Sequence, residues 1–201
     1  MKKIILASGS PRRREILSGA GLDFDVYISG ADEGSVSPDG ITFGVYVQEL
    51  ALLKARDAAK SIDQKGHIII SADTIVVCDN EIMGKPKNRE DAFSMLKKLS
   101  GKSHSVYTGI CVWRSDDAFS VCSAQETKVQ FKELTDEKIN SYIATGESDD
   151  KAGAYAVQGK GAALVKSVDG DYLNVVGLPL LKLLEILENE FGYNFFEGEC
   201  K

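Results

Sequence analysis

The sequence predicts an α/β fold with a mixed central β-sheet flanked by helices, and three observations predict it. Apolar runs of strand length are connected through segments of helical period. Two long strand-like runs, Ser105 to Trp113 and Phe119 to Phe131, are joined only by the turn Ser115-Asp116-Asp117 and should pair as a hairpin. Helix start and stop residues sit where the periodic segments begin and end. Strands linked partly by helices and partly by turns give a mixed sheet rather than a purely parallel one.

The elements follow in order. Lys3 to Ala7 reads as a short buried strand. Pro11 to Ala20 reads as a helix, with Ser10 as cap, Pro11 at the first helical position and Gly21 as a left-handed stop. Asp25 to Ile28 is a second strand, and Gly30 to Gly40 a loop by composition. Thr42 to Ser61 is the longest helix, with Val45, Leu52, Ala55 and Ala59 expected on its inner face. His67 to Val77 is a strong strand signal, and Asp79-Asn80 turns the chain into Glu81 to Met83. Arg89 to Leu99 is a helix closed by Gly101, with Ala92, Met95, Leu96 and Leu99 inward. After the hairpin, Thr135 caps a helix to about Ala144, and Gly146 to Gly161 is irregular. Ala162 to Val168 reads as a strand, Asp169-Gly170 as a hairpin turn, and Leu178 to Phe191 as a terminal amphipathic helix.

The chain has 201 residues, 43% hydrophobic and 27% charged, which excludes a disordered polypeptide. No linker, repeat or low-complexity tract divides it, so residues 1–201 are expected to form a single domain. The formal net charge of -6 disfavours a nucleic-acid binder, because that attraction comes mainly from neutralising phosphates with Lys and Arg. The apolar run Ile4 to Ala7 is too short for a signal-peptide core, and no window reaches a membrane span. A cytoplasmic protein without a membrane partner is expected. The four cysteines, at 78, 111, 122 and 200, form no C-x-x-C pair, and three lie in strand-like runs as small hydrophobes. The histidines, His67 and His104, are too far apart in sequence to suggest a zinc site.

One feature violates local rules. A helix N-terminus carries about half a positive charge, which disfavours basic residues in the first turn by ~0.3–1 kcal/mol each. Here Arg12, Arg13 and Arg14 occupy consecutive first-turn positions. An anion resolves the conflict: N-terminal N–H groups, the Ser8 and Ser10 hydroxyls and guanidinium forks together make a phosphate cradle. Without an anion the arginines would splay into solvent or pair with carboxylates. Arg12 and Arg13 are the better candidates, since a third consecutive arginine points elsewhere on the helix. The loop is not a P-loop, and in Gly101-Lys102-Ser103 the required earlier glycine falls on Leu96. No dinucleotide fingerprint occurs either, because Leu164 stands where the third glycine after Gly159 and Gly161 belongs.

Asp73, inside the apolar run Ile68 to Val77, needs a cation, a cap or a function, because a strand core does not accept an unpaired charge. It could hold a divalent metal or orient a water. Glu33 is a possible second metal ligand. Lys54 on the long helix and Lys85 in the turn Met83-Gly84-Lys85-Pro86 are cations that alone would read as surface residues. Gln158 offers donors and an acceptor, as a uracil or thymine edge requires.

Several segments together resemble the Maf proteins, nucleoside triphosphate pyrophosphatases once described as septum-formation inhibitors. They are Leu6 to Arg14 (LASGSPRRR), Ser71 to Val76 (SADTIV), Gly84-Lys85-Pro86 and Ser100 to Gly109 (SGKSHSVYTG). Thr145-Gly146-Glu147, Asp150 to Tyr155 (DKAGAY), Gln158-Gly159 and Asn174 to Pro179 (NVVGLP) follow in order. The Asp150 to Tyr155 run followed by Gln158-Gly159 is similar to the branch acting on dTTP and UTP rather than the one preferring methylated guanosine triphosphate. The resemblance implies an inosine triphosphatase-like architecture of two lobes with a nucleotide cleft between them. It implies Asp73 as catalytic acid/base, Arg12, Thr74 and Gln158 as specificity positions, and Ser8, Arg13, Lys54 and Lys85 as phosphate ligands. Glu33 and Asp73 would bind Mg²⁺ or Mn²⁺, and a homodimer is implied. Gly9, where the branch often has alanine, and Ser29-Gly30-Ala31 before Asp32-Glu33 depart from the pattern. The implied reaction is attack of water on the α-phosphorus, giving a monophosphate and pyrophosphate. A carboxylate is a weak base near neutrality, so Asp73 as general base and Asp73 as metal ligand both stay open. The alternative is a non-catalytic nucleotide sensor that regulates division.

Overall fold

The computed structural model describes residues 3–62, 65–197 and 199–200. The elements are β1 (Lys3–Ala7), α1 (Pro11–Gly19), β2 (Asp25–Tyr27), α2 (Phe43–Ser61), β3 (His67–Cys78), β4 (Glu81–Met83) and α3 (Arg89–Leu99). They continue with β5 (Ser103–Arg114), β6 (Ser120–Phe131), α4 (Asp136–Ile143), β7 (Val165–Asp169), α5 (Tyr172–Val176), α6 (Leu180–Phe191), β8 (Tyr193–Asn194) and β9 (Glu199–Cys200). The main sheet runs β2-β1-β3-β5-β6-β7, with β4 paired to β3. It is mixed, as expected: β1 is parallel to β2 and β3, while β3–β4 and β6–β7 are antiparallel. Asp79 and Asn80 turn β3 into β4 with positive φ at both residues, a conformation that Asn and Asp tolerate.

The chain folds into two compact units. The first comprises residues 1–73, 108–125 and 177–201, the second residues 74–107 and 126–176. Alternation along β1 builds the first. Ile4 and Leu6 join Leu17 of α1, Ile68 and Ile70 of β3, and Leu183 and Leu187 of α6 in one buried cluster. Ile5 and Ala7 meet Ile69 and Ala58 of α2 in another. A strand with a period of two thus receives helices on both faces. In the second unit Val76, Leu96, Leu99, Phe131, Ile139 and Tyr155 belong to one buried cluster. Among the described residues no helix is long and apolar enough to cross a membrane.

Three expectations are corrected. The inner face of α2 is Val47, Leu50, Ala51, Ala55 and Ala58, whereas Val45 is exposed. This helix carries more apolar positions than one face holds, so spacing alone does not orient it. The segment from Gly159 to Leu164 is a 3₁₀ turn, and the strand begins only at Val165. Asp169-Gly170 makes no hairpin: Asp171 accepts hydrogen bonds from Leu173 N–H (2.8 Å) and Asn174 N–H (3.2 Å), starting α5. An Asp immediately after the turn signal redirects the chain into a helix.

Candidate active site

The first unit brings five of the sequence-predicted residues into two contact groups, Ser8 with Arg13 and Lys54 with Glu33 and Asp73. β1 ends in Ser8-Gly9-Ser10, from which α1 starts with Pro11 at its first position. Ser10 stands at the cap position, but its side chain makes no cap hydrogen bond, contrary to expectation. The first turn of α1 therefore combines amides uncapped by Ser10, no acidic residue and three arginines. The helix separates those arginines by burial: Arg13 is buried, Arg12 half-buried and Arg14 exposed.

Arg13 ties three segments together. Its Nε donates to Gly177 O (2.8 Å), and its Nη1 donates to Ala72 O (2.8 Å) and Ser8 Oγ (3.0 Å). Ser8 Oγ also accepts from Ser10 N–H (3.3 Å), which closes the loop. Burial lowers the Arg13 pKa from its ordinary value, Asp73 pulls it back up, Arg12 lowers it and Glu33 raises it. A guanidinium stays charged even so. The loop thus rests on a buried cation that senses both carboxylates.

Those carboxylates meet on Lys54. Its Nζ lies 2.5 Å from Asp73 Oδ1 and 2.8 Å from Glu33 Oε1. The Lys54 and Asp73 side chains are each 13% exposed and that of Glu33 57%, so the lysine couples a sheltered carboxylate to an open one. This answers the question Asp73 posed, since its compensating cation is Lys54.

Lys54 is placed by the docking of α2. At Gly109 of β5 an added Cβ would lie 2.1 Å from Val47 O, so the helix backbone rests directly on the strand. Ser71 Oγ, two residues before Asp73, donates to Ala51 O (2.6 Å), three residues before Lys54. Glu33 is placed by its loop: Asp32 Oδ1 accepts from Gly34 N–H (3.1 Å) and opens the 3₁₀ turn Glu33–Ser35.

Two residues that sequence reasoning missed belong here. Asp57, one turn after Lys54, accepts from Ser29 Oγ (2.8 Å) and Gly30 N–H (3.0 Å), anchoring the loop that carries Glu33. Burial raises the Tyr46 pKa, and the Asp73 and Glu33 charges raise it further, so this phenol lies in the field of both carboxylates. The spacing of 46, 50, 54 and 57 is one helix face, the signal that could have found them.

The second unit holds the other predicted residues. Thr74 is half-buried on β3, and Lys85 and Gln158 are exposed. The turn bearing Lys85 is fixed by Gly84 O, which accepts from Gly153 N–H (3.0 Å). Gly153 needs its positive φ and sits against Val76, where a Cβ would come within 3.0 Å of a methyl carbon. Gln158 opens the 3₁₀ turn Gly159–Leu164, whose Lys160 and Gly161 amides both donate to the Glu147 carboxylate at 3.1 Å. Glu147 thus holds the turn that presents Gln158. The same unit holds a buried pair, His104 Nε2 and Tyr155 Oη, 2.7 Å apart.

Glu33 and Asp73 suit a metal. Magnesium is commonly held by one or two carboxylates plus waters and substrate phosphates, and two carboxylates already converge on one cationic atom. Among the described residues no group of three or more His, Cys, Asp or Glu could hold a metal. A metal at these two would take the rest of its shell from phosphate and water.

An arginine-bearing turn at an open helix start, with a sheltered carboxylate sharing a cation with an exposed one, is an arrangement able to take a polyanion and its counterion. The chain belongs to the Maf-like protein family, whose family model matches residues 3–190. A dTTP/UTP pyrophosphatase of Thermoanaerobacter sp. (strain X514) is 52% identical over 189 residues, covering 94% of this chain and 97% of its own. Those of Acetivibrio thermocellus and Symbiobacterium thermophilum are 49% and 47% identical, covering 96% and 98% of this chain and 96% and 98% of theirs. A crystal structure of a nucleoside-triphosphatase / dITP/XTP pyrophosphatase from Mycobacterium abscessus is 15% identical, with a TM-score of 0.45, covering 93% of this chain and 96% of its own.

Proposed function

We propose that this protein is a nucleoside triphosphate pyrophosphatase that hydrolyses dTTP and UTP to the monophosphate and pyrophosphate, a housekeeping role in the nucleotide pool. The observation that carries the reading is Asp73 held with Glu33 on Lys54, beside the loop that Arg13 fastens to Ser8. Relatives near 50% identity bearing the name dTTP/UTP pyrophosphatase support the pyrimidine substrate.

In this reading Arg12, Ser8 and the first amides of α1 bind phosphate oxygens. Arg13, already bonded to two carbonyls and a hydroxyl, contributes its charge and the loop's shape. Asp73 accepts the proton of the water that attacks the α-phosphorus. Lys54 and Lys85 offset the charge gathering on the departing pyrophosphate. Glu33 and Asp73 would hold Mg²⁺ or Mn²⁺, which supplies further neutralisation of the triphosphate. Thr74, Gln158 and Arg12 select the nucleotide, and residues 1–201 work as one catalytic domain. The enzyme acts in the cytoplasm as a homodimer on a small diffusible substrate, without nucleic-acid or membrane partners.

The test incubates the protein with each common nucleoside triphosphate and Mg²⁺ or Mn²⁺ in water labelled with the heavy oxygen isotope. Pyrophosphate should form from dTTP and UTP, with the label in the monophosphate. Asp73→Asn should lower kcat by about 10²–10⁴-fold, the range for a lost general base. Orthophosphate as the product would overturn the α-phosphorus assignment, and nucleotide binding without turnover would favour a sensor.

A further inference from the structure

The cysteines of the hairpin lie outside the chemistry above. Arg114 N–H donates to Phe119 O (2.8 Å), making those residues a directly opposed, hydrogen-bonded pair at the turn end of β5 and β6. At the other end Phe131 N–H donates to Lys102 O (2.9 Å) in the same register. In that register Cys111 stands opposite Cys122. Pairs alternate along an antiparallel ladder, so this one, an odd number of steps from both, is a non-hydrogen-bonded pair. Its carbonyl must then face the other neighbour, β3, and Ser71 Oγ of β3 lies 3.5 Å from Cys111 O. Opposed Cα atoms at such a position are about 4.5 Å apart, inside the span of roughly 4.4–6.8 Å that a disulfide bridges.

The side chains agree with the backbone. The two thiols hydrogen-bond to each other; that bond and burial push the Cys111 thiol up, while the bond, against burial, lowers that of Cys122. Cys111 is fully buried against Ala51 and Ala55 of α2, while Cys122 is half-buried at the edge of the same cluster. Cys122 is therefore the more accessible of the two.

We propose that Cys111 and Cys122 are a redox-responsive dithiol that closes to a cross-strand disulfide under peroxide and reopens under thiols. The Cys122 thiolate attacks a peroxide oxygen, the O–O bond breaks, and Cys122 becomes a sulfenic acid with release of hydroxide. The Cys111 sulfur then attacks Cys122 Sγ, forming the S–S bond and expelling the sulfenic oxygen as water with the Cys111 proton. Two thiols lose two electrons, and one peroxide becomes two waters. The bridge would lie directly under the α2 segment that carries Lys54.

Trypsin separates the two cysteines, cutting after Lys102, Arg114 and Lys128. The folded protein is treated with hydrogen peroxide, its free thiols are blocked, and it is digested without reductant. A linked species of peptides Ser103–Arg114 and Ser115–Lys128, lighter by two hydrogens than their sum, should form and vanish with dithiothreitol. Cys122→Ser, folded by circular dichroism, should lose the linked species and leave Cys111 unmodified at the same peroxide dose. Cys122 converted to sulfinic acid with Cys111 still a free thiol would overturn the proposal. So would a linkage that appears only after denaturation.

Discussion

Lys54 sits between carboxylates of unequal exposure, and removing any one partner changes the others. Lys54→Met leaves Asp73 sheltered without its cation, and Asp73→Asn leaves Lys54 with only the exposed Glu33. Each should destabilise, but the double variant should cost less than the two together, with a coupling of about 0.5–3 kcal/mol. Urea unfolding of the four proteins measures it, and simple additivity would mean that the contact stabilises nothing. Glu33→Gln should act differently, raising the Mg²⁺ concentration for half-maximal pyrophosphate release while stability barely moves. At this scale the sequence was readable where a residue broke a rule. Three arginines at a helix start and an aspartate in a strand core both announced themselves. Asp57 and Tyr46 did not, because a polar residue on a partly exposed helix face violates nothing.

The helix that presents Lys54 depends on close approach at Gly109. Its replacement by alanine would set a Cβ 2.1 Å from Val47 O and 2.7 Å from Gln48 N, so α2 must shift. Gly109→Ala should cost roughly 1–3 kcal/mol or more and lower kcat, through displacement of Lys54 rather than loss of any reacting group. Thr42→Ala, which removes the cap bond to Val45 N–H (3.3 Å), should cost about 1 kcal/mol and leave kcat nearly unchanged. A thermal melt beside an assay separates the two effects. Elements with strong periodicity or caps were legible: β1, α3 and α4 lie where spacing and capping put them. The inner face of α2 was not, since both sides of that helix are apolar. Nor was α5, whose five residues are too short to show a period.

Over the whole molecule, acid stability should depend on His104. Burial pushes its pKa from 6.5 down to about 4, so the folded protein resists a proton that the unfolded chain accepts. The sign follows from linkage: above about 6.5 both states are neutral and stability is full, and as pH falls towards 4 the unfolded state gains the proton first. The loss accumulates to the order of 3 kcal/mol across that window. His104→Gln can still hydrogen-bond Tyr155 and does not titrate. Its unfolding free energy should therefore fall less between pH 7 and pH 4 than the parent's, as urea titrations would show. The mixed sheet was foreseeable from how the strands are connected. Two lobes were implied by the family resemblance, but composition did not locate their boundaries, which cut through β3, β5 and β6 rather than at a linker.

The bond from Arg13 to Gly177 also sets a timetable. The two residues are 164 positions apart, and a ribosome adding about 5–20 residues per second needs roughly ten to thirty seconds to make the second after the first. Through that interval the guanidinium has been synthesised without the carbonyl that receives its Nε. The arginine turn of a nascent chain is thus left incomplete until nearly the whole polypeptide has been made, and only then can it take its final shape.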